Sequence, residues 1–131
     1  MDGSKPRRVL IIEDEPEIRL VLALSLQHTA GFDTIEANDG YEGIAKAKEH
    51  LPDLIILDAI MPGLDGYATC RLIKQDESLK HIPVIFLTAK TDSREVGKAM
   101  RAGASACLAK PFDPLRIADQ IENITQLGCA K

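Results

Sequence analysis

The residues with chemistry to offer stand directly behind short apolar stretches. Glu13, Asp14 and Glu15 follow Val9-Leu10-Ile11-Ile12, and Asp58 follows Leu54-Ile55-Ile56-Leu57. Thr88 follows Val84-Ile85-Phe86-Leu87, and Lys110, with Pro111 behind it, follows a weaker stretch ending at Leu108. Carboxylates gathered at one place repel, so Glu13, Asp14 and Asp58 together require a cation. An oxygen-only set without His or Cys suits a hard metal, and a few carboxylates completed by water suit Mg2+, with Mn2+ able to substitute. A cation, an ammonium and a hydroxyl around one carboxylate would stabilise the equatorial oxygens of a phosphoryl group in transfer. Asp58 would then be the nucleophile and an acyl phosphate the product. Taken singly, each residue has a plainer reading. Asp14 and Glu15 could open a helix, Asp58 could be a loop acid, Thr88 a helix cap and Lys110 a solvated lysine. Four stretches ending this way in one chain favour the chemical reading.

The elements that must position these groups follow from periodicity. The aliphatic runs are continuous rather than alternating, as in strands buried on both faces of a parallel sheet. Asp33 to Ala37 and Ala104 to Leu108 are weaker strand candidates. Between strands the spacing turns helical: Ile18, Val21, Leu22 and Leu26, stopped by Gly31; Ile44, Ala45 and Ala47, ended before Pro52; Leu72 and Ile73; Val96, Ala99 and Met100, stopped by Gly103; and Ile117, Ile121 and Ile124, started near Asp113 and Pro114. Gly97 falls inside the fourth helix at a cost of about 1 kcal/mol relative to Ala. Strand and helix alternating five times predicts an α/β fold: a doubly wound, five-stranded parallel sheet flanked by five helices, flavodoxin-like. Sites in such sheets lie beyond the carboxyl ends of the strands, where the polar residues fall.

Composition narrows the class. The chain has 131 residues, 45% hydrophobic but only 4% aromatic with no Trp, so aliphatic side chains must build one domain's core. Sixteen basic residues against 20 acidic ones give a net charge of −4, the wrong sign for phosphate neutralisation on nucleic acid. The basic group Lys5, Arg7 and Arg8 reads as a solvated flank. Cys70, Cys107 and Cys129 form neither a disulfide framework nor a zinc pattern. No membrane span or signal sequence is visible, and a cytoplasmic location without membrane contact is expected.

The chain resembles the receiver domain of two-component response regulators. The residues that carry the resemblance are Glu13-Asp14, the stretch from Leu57-Asp58-Ala59-Ile60-Met61-Pro62 to Gly63-Leu64-Asp65-Gly66, then Leu87-Thr88-Ala89 and Lys110-Pro111-Phe112. It implies a receiver over residues 8–127 between tails 1–7 and 128–131, with no output domain. Asp58 would accept a phosphoryl group from a histidine kinase or histidine phosphotransfer protein. Asp14 would bind Mg2+, helped by Glu13, Asp58 and the Ile60 backbone carbonyl. Thr88 and Lys110 would hold the phosphoryl oxygens, and the Lys110–Pro111 peptide would be cis. A downstream protein would meet the face of the fourth helix, fifth strand and fifth helix, without direct nucleic-acid contact.

Two positions depart from the family pattern. The acidic pair is Glu-Asp where Asp-Asp is commoner. Cys107 stands where Tyr or Phe is usual, so a smaller or differently routed switch is expected. Ile60 and Lys90 occupy the positions that tune water access, and apolar Ile60 predicts slow loss of the phosphoryl group. A degenerate receiver serving as a phosphorylation-independent docking module is the alternative. A haloacid-dehalogenase-type phosphatase would want Asp where Ile60 stands. A flavodoxin-type flavin carrier would want a Ser/Thr/Gly-rich loop after Ile12.

Overall fold

The computed structural model describes residues 7–89 and 92–125. Lys5, Lys90, Cys129 and both chain ends beyond those limits lie outside the described residues. Ten elements alternate: β1 (Arg8–Ile12), α1 (Pro16–Ala30), β2 (Asp33–Ala37), α2 (Gly40–His50), β3 (Leu54–Asp58), α3 (Gly66–Gln75), β4 (Val84–Thr88), α4 (Ser93–Ala102), β5 (Ala106–Ala109) and α5 (Ile117–Thr125). The strands pair in parallel in the order β2-β1-β3-β4-β5.

Side chains of a strand alternate between faces, and that alternation divides the core into two layers. Leu10, Ile12, Ile55, Leu57, Val84 and Phe86 pack on one face against Ala47 of α2, Cys70 and Ile73 of α3, and Ala99 and Ala102 of α4. Val9, Ile11, Leu54, Ile56, Ile85 and Leu87 pack on the other against Leu22 and Leu26 of α1 and Ile117 and Ile121 of α5. The central strands β3 and β4 are buried throughout, whereas β2 and β5 lie at the sheet edges and are only partly covered. That is why their sequences carry fewer large aliphatic residues.

Local signals set most of the helix ends. Asp39, Asp65 and Asp92 cap α2, α3 and α4 by accepting from the amides of Glu42, Ala68 and Glu95 at 2.8, 2.8 and 3.0 Å. Gly31 and Gly103 end α1 and α4 in left-handed backbone. The fifth helix starts later than its sequence suggests. The Asp113 carboxylate accepts from the Leu115 amide and its carbonyl from the Arg116 and Ile117 amides, so a turn precedes Ile117. The fifth strand is likewise displaced, to Ala106–Ala109, because Ala104 and Ser105 bond as the turn leaving α4 and joining Val84.

Five residues assigned to apolar helix faces, Val21, Ala45, Leu72, Met100 and Ile124, are exposed. The flank reading of the basic group is corrected as well. Arg7 lies over the Phe32 ring at 4.5 Å and pairs with Glu122 at 3.4 Å, while Arg8 belongs to β1 and pairs with Asp33 at 3.6 Å.

Candidate functional site

Sheet register brings the polar strand ends together. Asp58, the last residue of β3, pairs with Leu87, and Thr88, the last of β4, pairs with Ala109. The Lys110 amide donates to the Thr88 carbonyl at 2.8 Å, and the Glu13 amide donates to the Ala37 carbonyl at 3.1 Å. Glu13, Asp58, Thr88 and Lys110 therefore sit along one edge, each fixed by backbone bonds to a neighbouring strand. Asp58, Thr88 and Lys110 line a cleft of about 290 Å3 together with Asp14, Glu15, Ile60 and Ala89, while Glu13 is buried behind it.

The charges are arranged as a compensated cluster. The Lys110 ammonium lies 2.9 Å from Glu13 Oε1 and 3.3 Å from Asp58 Oδ1. Glu13 and Asp58 are 1% and 5% exposed, and Thr88 is 4% exposed. Burial, and then the Glu13 carboxylate, push the Asp58 carboxyl up to about 7; Lys110 and the Ile60 amide, which donates to Asp58 Oδ1 at 3.3 Å, act against that rise. Burial alone would lower the Lys110 ammonium, but the close approach of Glu13 and Asp58 outweighs it and raises that group above its usual range.

Ligand atoms of Glu13, Asp14 and Asp58 lie within 4.8 Å of one another. Glu13 Oε1 is buried and receives no aligned hydrogen bond, so its contact with Lys110 is an ion pair only. Three carboxylates, one with an unsatisfied buried oxygen, fit a hard divalent cation.

Other features at this edge were not visible in the sequence. Arg19 of α1 donates to the Glu13 carbonyl at 2.8 Å and to Glu36 at 3.1 Å, which fixes the acidic turn against β2. The Glu13 carboxylate accepts from the Glu15 amide at 3.1 Å. Glu15 occupies the N-cap of α1 without a side-chain cap bond, and Pro16 supplies the first helical turn. A Cβ on Gly66 would collide with the Asp58 carbonyl, so the absence of a side chain is what lets α3 begin against the end of β3. Asp-Gly at 65–66 was a legible signal for a turn, but not for this close approach.

The Lys110–Pro111 peptide is cis. Ile60 is 64% exposed and lines the cleft beside Asp58. Cys107 is half-buried opposite Phe86, and burial raises its thiol, as it raises Cys70 to about 11; neither is an activated nucleophile. Lys90 falls outside the described residues.

Comparison with known proteins agrees with this geometry. Residues 9–122 match the family model of the response regulator receiver domain. The DNA-binding response regulator MtrA of Mycolicibacterium smegmatis is 33% identical over 115 residues, covering 88% of this chain and 49% of that protein. The DNA-binding dual master transcriptional regulator RpaA of Synechocystis is 40% identical over 106 residues, covering 81% of this chain and 44% of its own length. The chain thus spans about half the length of these relatives. The structure of the Vibrio cholerae chemotaxis protein CheY4 superimposes with a TM-score of 0.87 at 29% identity, covering 92% of this chain and 99% of that one.

Proposed function

The chain belongs to the response regulator receiver domain family, and from that premise we propose that Asp58 is its phosphoacceptor. The observation that carries this reading is the Lys110 ammonium held between two buried carboxylates, Glu13 and Asp58, at the mouth of the cleft. A histidine kinase or histidine phosphotransfer protein presents a phosphohistidine. An Asp58 carboxylate oxygen attacks phosphorus, the phosphorus–nitrogen bond breaks, and the imidazole leaves with the electron pair. Lys110 stabilises the ionised carboxylate before attack and a phosphoryl oxygen after it, and Thr88 donates to another. Glu13, Asp14, Asp58 and the Ile60 carbonyl would hold Mg2+, with Mn2+ able to replace it. The metal supplies positive charge beside the phosphoryl oxygens.

Phosphorylation adds about −1.5 to −2 charge at this edge. Thr88 and Lys110 then move toward the new anion, and the shift passes to the face of α4, β5 and α5, where a downstream protein binds. With Cys107 in β5, that shift is smaller than an inward-turning aromatic would produce. The DNA binding named for MtrA and RpaA is said of those longer proteins; the reading for this chain is a protein partner, in the cytoplasm, with residues 8–127 as the receiver unit.

Incubation with acetyl phosphate and Mg2+ followed by mass spectrometry of the intact protein tests the assignment. One phosphoryl group on the native chain and none on Asp58→Asn is the expected result; equal labelling of both would refute it. Ile60 flanks the cleft as an apolar side chain, and Ile60→Asn is expected to speed decay of the phosphoryl group. An unchanged decay rate would remove Ile60 from the account.

A further inference from the structure

A second cleft, of about 230 Å3, opens between α3 and α4 and is lined by Asp65, Tyr67, Arg71, Lys98 and Arg101. Its composition runs against the rest of the molecule: three cations converge here on a chain whose net charge is −4. Asp65 Oδ1 caps α3, and the Asp65 carboxylate is the one acid in the lining, against three cations. Lys98 lies 4.6 Å above the Tyr67 ring and 3.9 Å from Glu95. Arg71 and Arg101 have no acid within ion-pair distance among the described residues.

The helices present these groups by spacing. Arg94, Lys98 and Arg101 recur at helical intervals on the exposed side of α4, so they lie along one face. Gly97 falls between them. A Cβ there would lie 3.2 Å from the Arg101 guanidinium, so Gly97 leaves the room in which that side chain folds back over the helix. This is the structural use of a residue that otherwise weakens α4. Beneath the cations, the Tyr67 hydroxyl donates to Glu95 Oε1 at 2.9 Å and its ring packs against Phe86 at 5.2 Å between centroids. The floor of the cleft is therefore fixed, and on its rim Arg71 and Arg101 have no ion-pair partner among the described residues, while Lys98 is paired with Glu95.

We propose that the α3–α4 cleft is a docking site for an acidic segment of a partner protein, whose carboxylates pair with Arg71, Lys98 and Arg101. Charge complementarity selects the partner, and guanidinium forks suit carboxylates in two-point contact. The volume is below the roughly 300 Å3 at which small-molecule pockets begin, so it admits side chains rather than a cofactor. The cleft joins α3 to α4 and shares no lining residue with the cleft that holds Asp58.

A fluorescein-labelled Glu-rich peptide is titrated into the native chain and followed by anisotropy, with the Gln version as control. Saturable binding of the Glu peptide alone, weakened by salt, is expected. Arg71→Gln with Arg101→Gln removes two of the three cations, and about a tenfold loss of affinity is expected. Amide spectra of the labelled protein must show shifts at Tyr67, Arg71 and Arg101, and the double variant must keep the native spectrum elsewhere. A charge-reversed pair, Arg71→Glu with Arg101→Glu, should bind a Lys-rich peptide instead. No binding, equal binding by the double variant, or preferential binding of a duplex oligonucleotide at these residues would overturn the proposal.

Discussion

Two charged clusters in this molecule follow opposite rules. At the carboxyl edge of the sheet, Glu13, Asp58 and Lys110 are largely withdrawn from water and compensate one another. In the α3–α4 cleft, Arg71 and Arg101 stand in solvent without an acidic partner among the described residues. The first cluster is built on strand ends whose positions are fixed by ladder bonds, the second on exposed helix faces. Burial makes the first a source of shifted titration and large energetic consequence. Exposure leaves the second with almost no effect on folding, so its charges are free to serve recognition.

The contrast breaks most readily at Asp58. Asp58→Asn should abolish phosphorylation, read by mass spectrometry, whereas no substitution in the cleft should reduce it measurably. The next largest effect is on stability. Lys110→Met leaves buried acids without their cation, and a loss of about 3 kcal/mol is expected in urea unfolding with chelator present. Mg2+ should restore part of that loss.

A pH series sharpens the same point. In metal-free protein the raised Asp58 carboxyl keeps its proton up to about 7, whereas the unfolded chain releases it near 3.8. The folded state binds more protons in that window, so this group's contribution to stability falls as pH rises from about 4 to 7. Asp58→Asn should flatten that slope in chelator-treated samples and should melt higher than the native chain at pH above about 7. Tyr67→Phe comes next: it removes one partly buried hydrogen bond beneath the cleft and should cost about 1 kcal/mol by thermal unfolding. Smallest is Arg71→Gln, expected to stay within about 0.5 kcal/mol of the native chain. A larger loss would show that the cleft arginines support the fold and would dissolve the distinction.

Legibility in the sequence divides along similar lines. β1, β3 and β4 were readable because strands covered on both faces need unbroken aliphatic runs, and the groups at their ends were readable with them. Val21, Leu72, Met100 and Ile124 carry the same periodic signal yet reach solvent, because spacing gives a face but not its neighbour. The start of α5 was obscured by Asp113, whose carboxylate and carbonyl hold a turn that resembles a helix opening. Contacts between elements were not readable at all. Nothing local in α3 announces that Tyr67 bonds Glu95 in α4, or that Arg19 reaches back to the Glu13 carbonyl. The strand-end residues and the family resemblance together pointed to the roles of Asp58, Thr88 and Lys110, but the basic cleft emerges only when α3 and α4 are packed.

Gly66 has a mechanical consequence. Its amide donates to the Ala59 carbonyl at 3.0 Å, and its bare Cα rests against the Asp58 carbonyl. The base of α3 is thereby clamped to the strand that carries Asp58, as an anvil is bolted to its bench. Helix α4 has its N-cap at Asp92, only four residues beyond Thr88, and meets α3 through the Tyr67–Glu95 bond. A displacement proposed to begin at Thr88 would therefore meet a helix α3 that is fixed to the strand carrying Asp58 and tied to α4 by the Tyr67–Glu95 bond. That single hydrogen bond is the contact such a displacement would have to stretch.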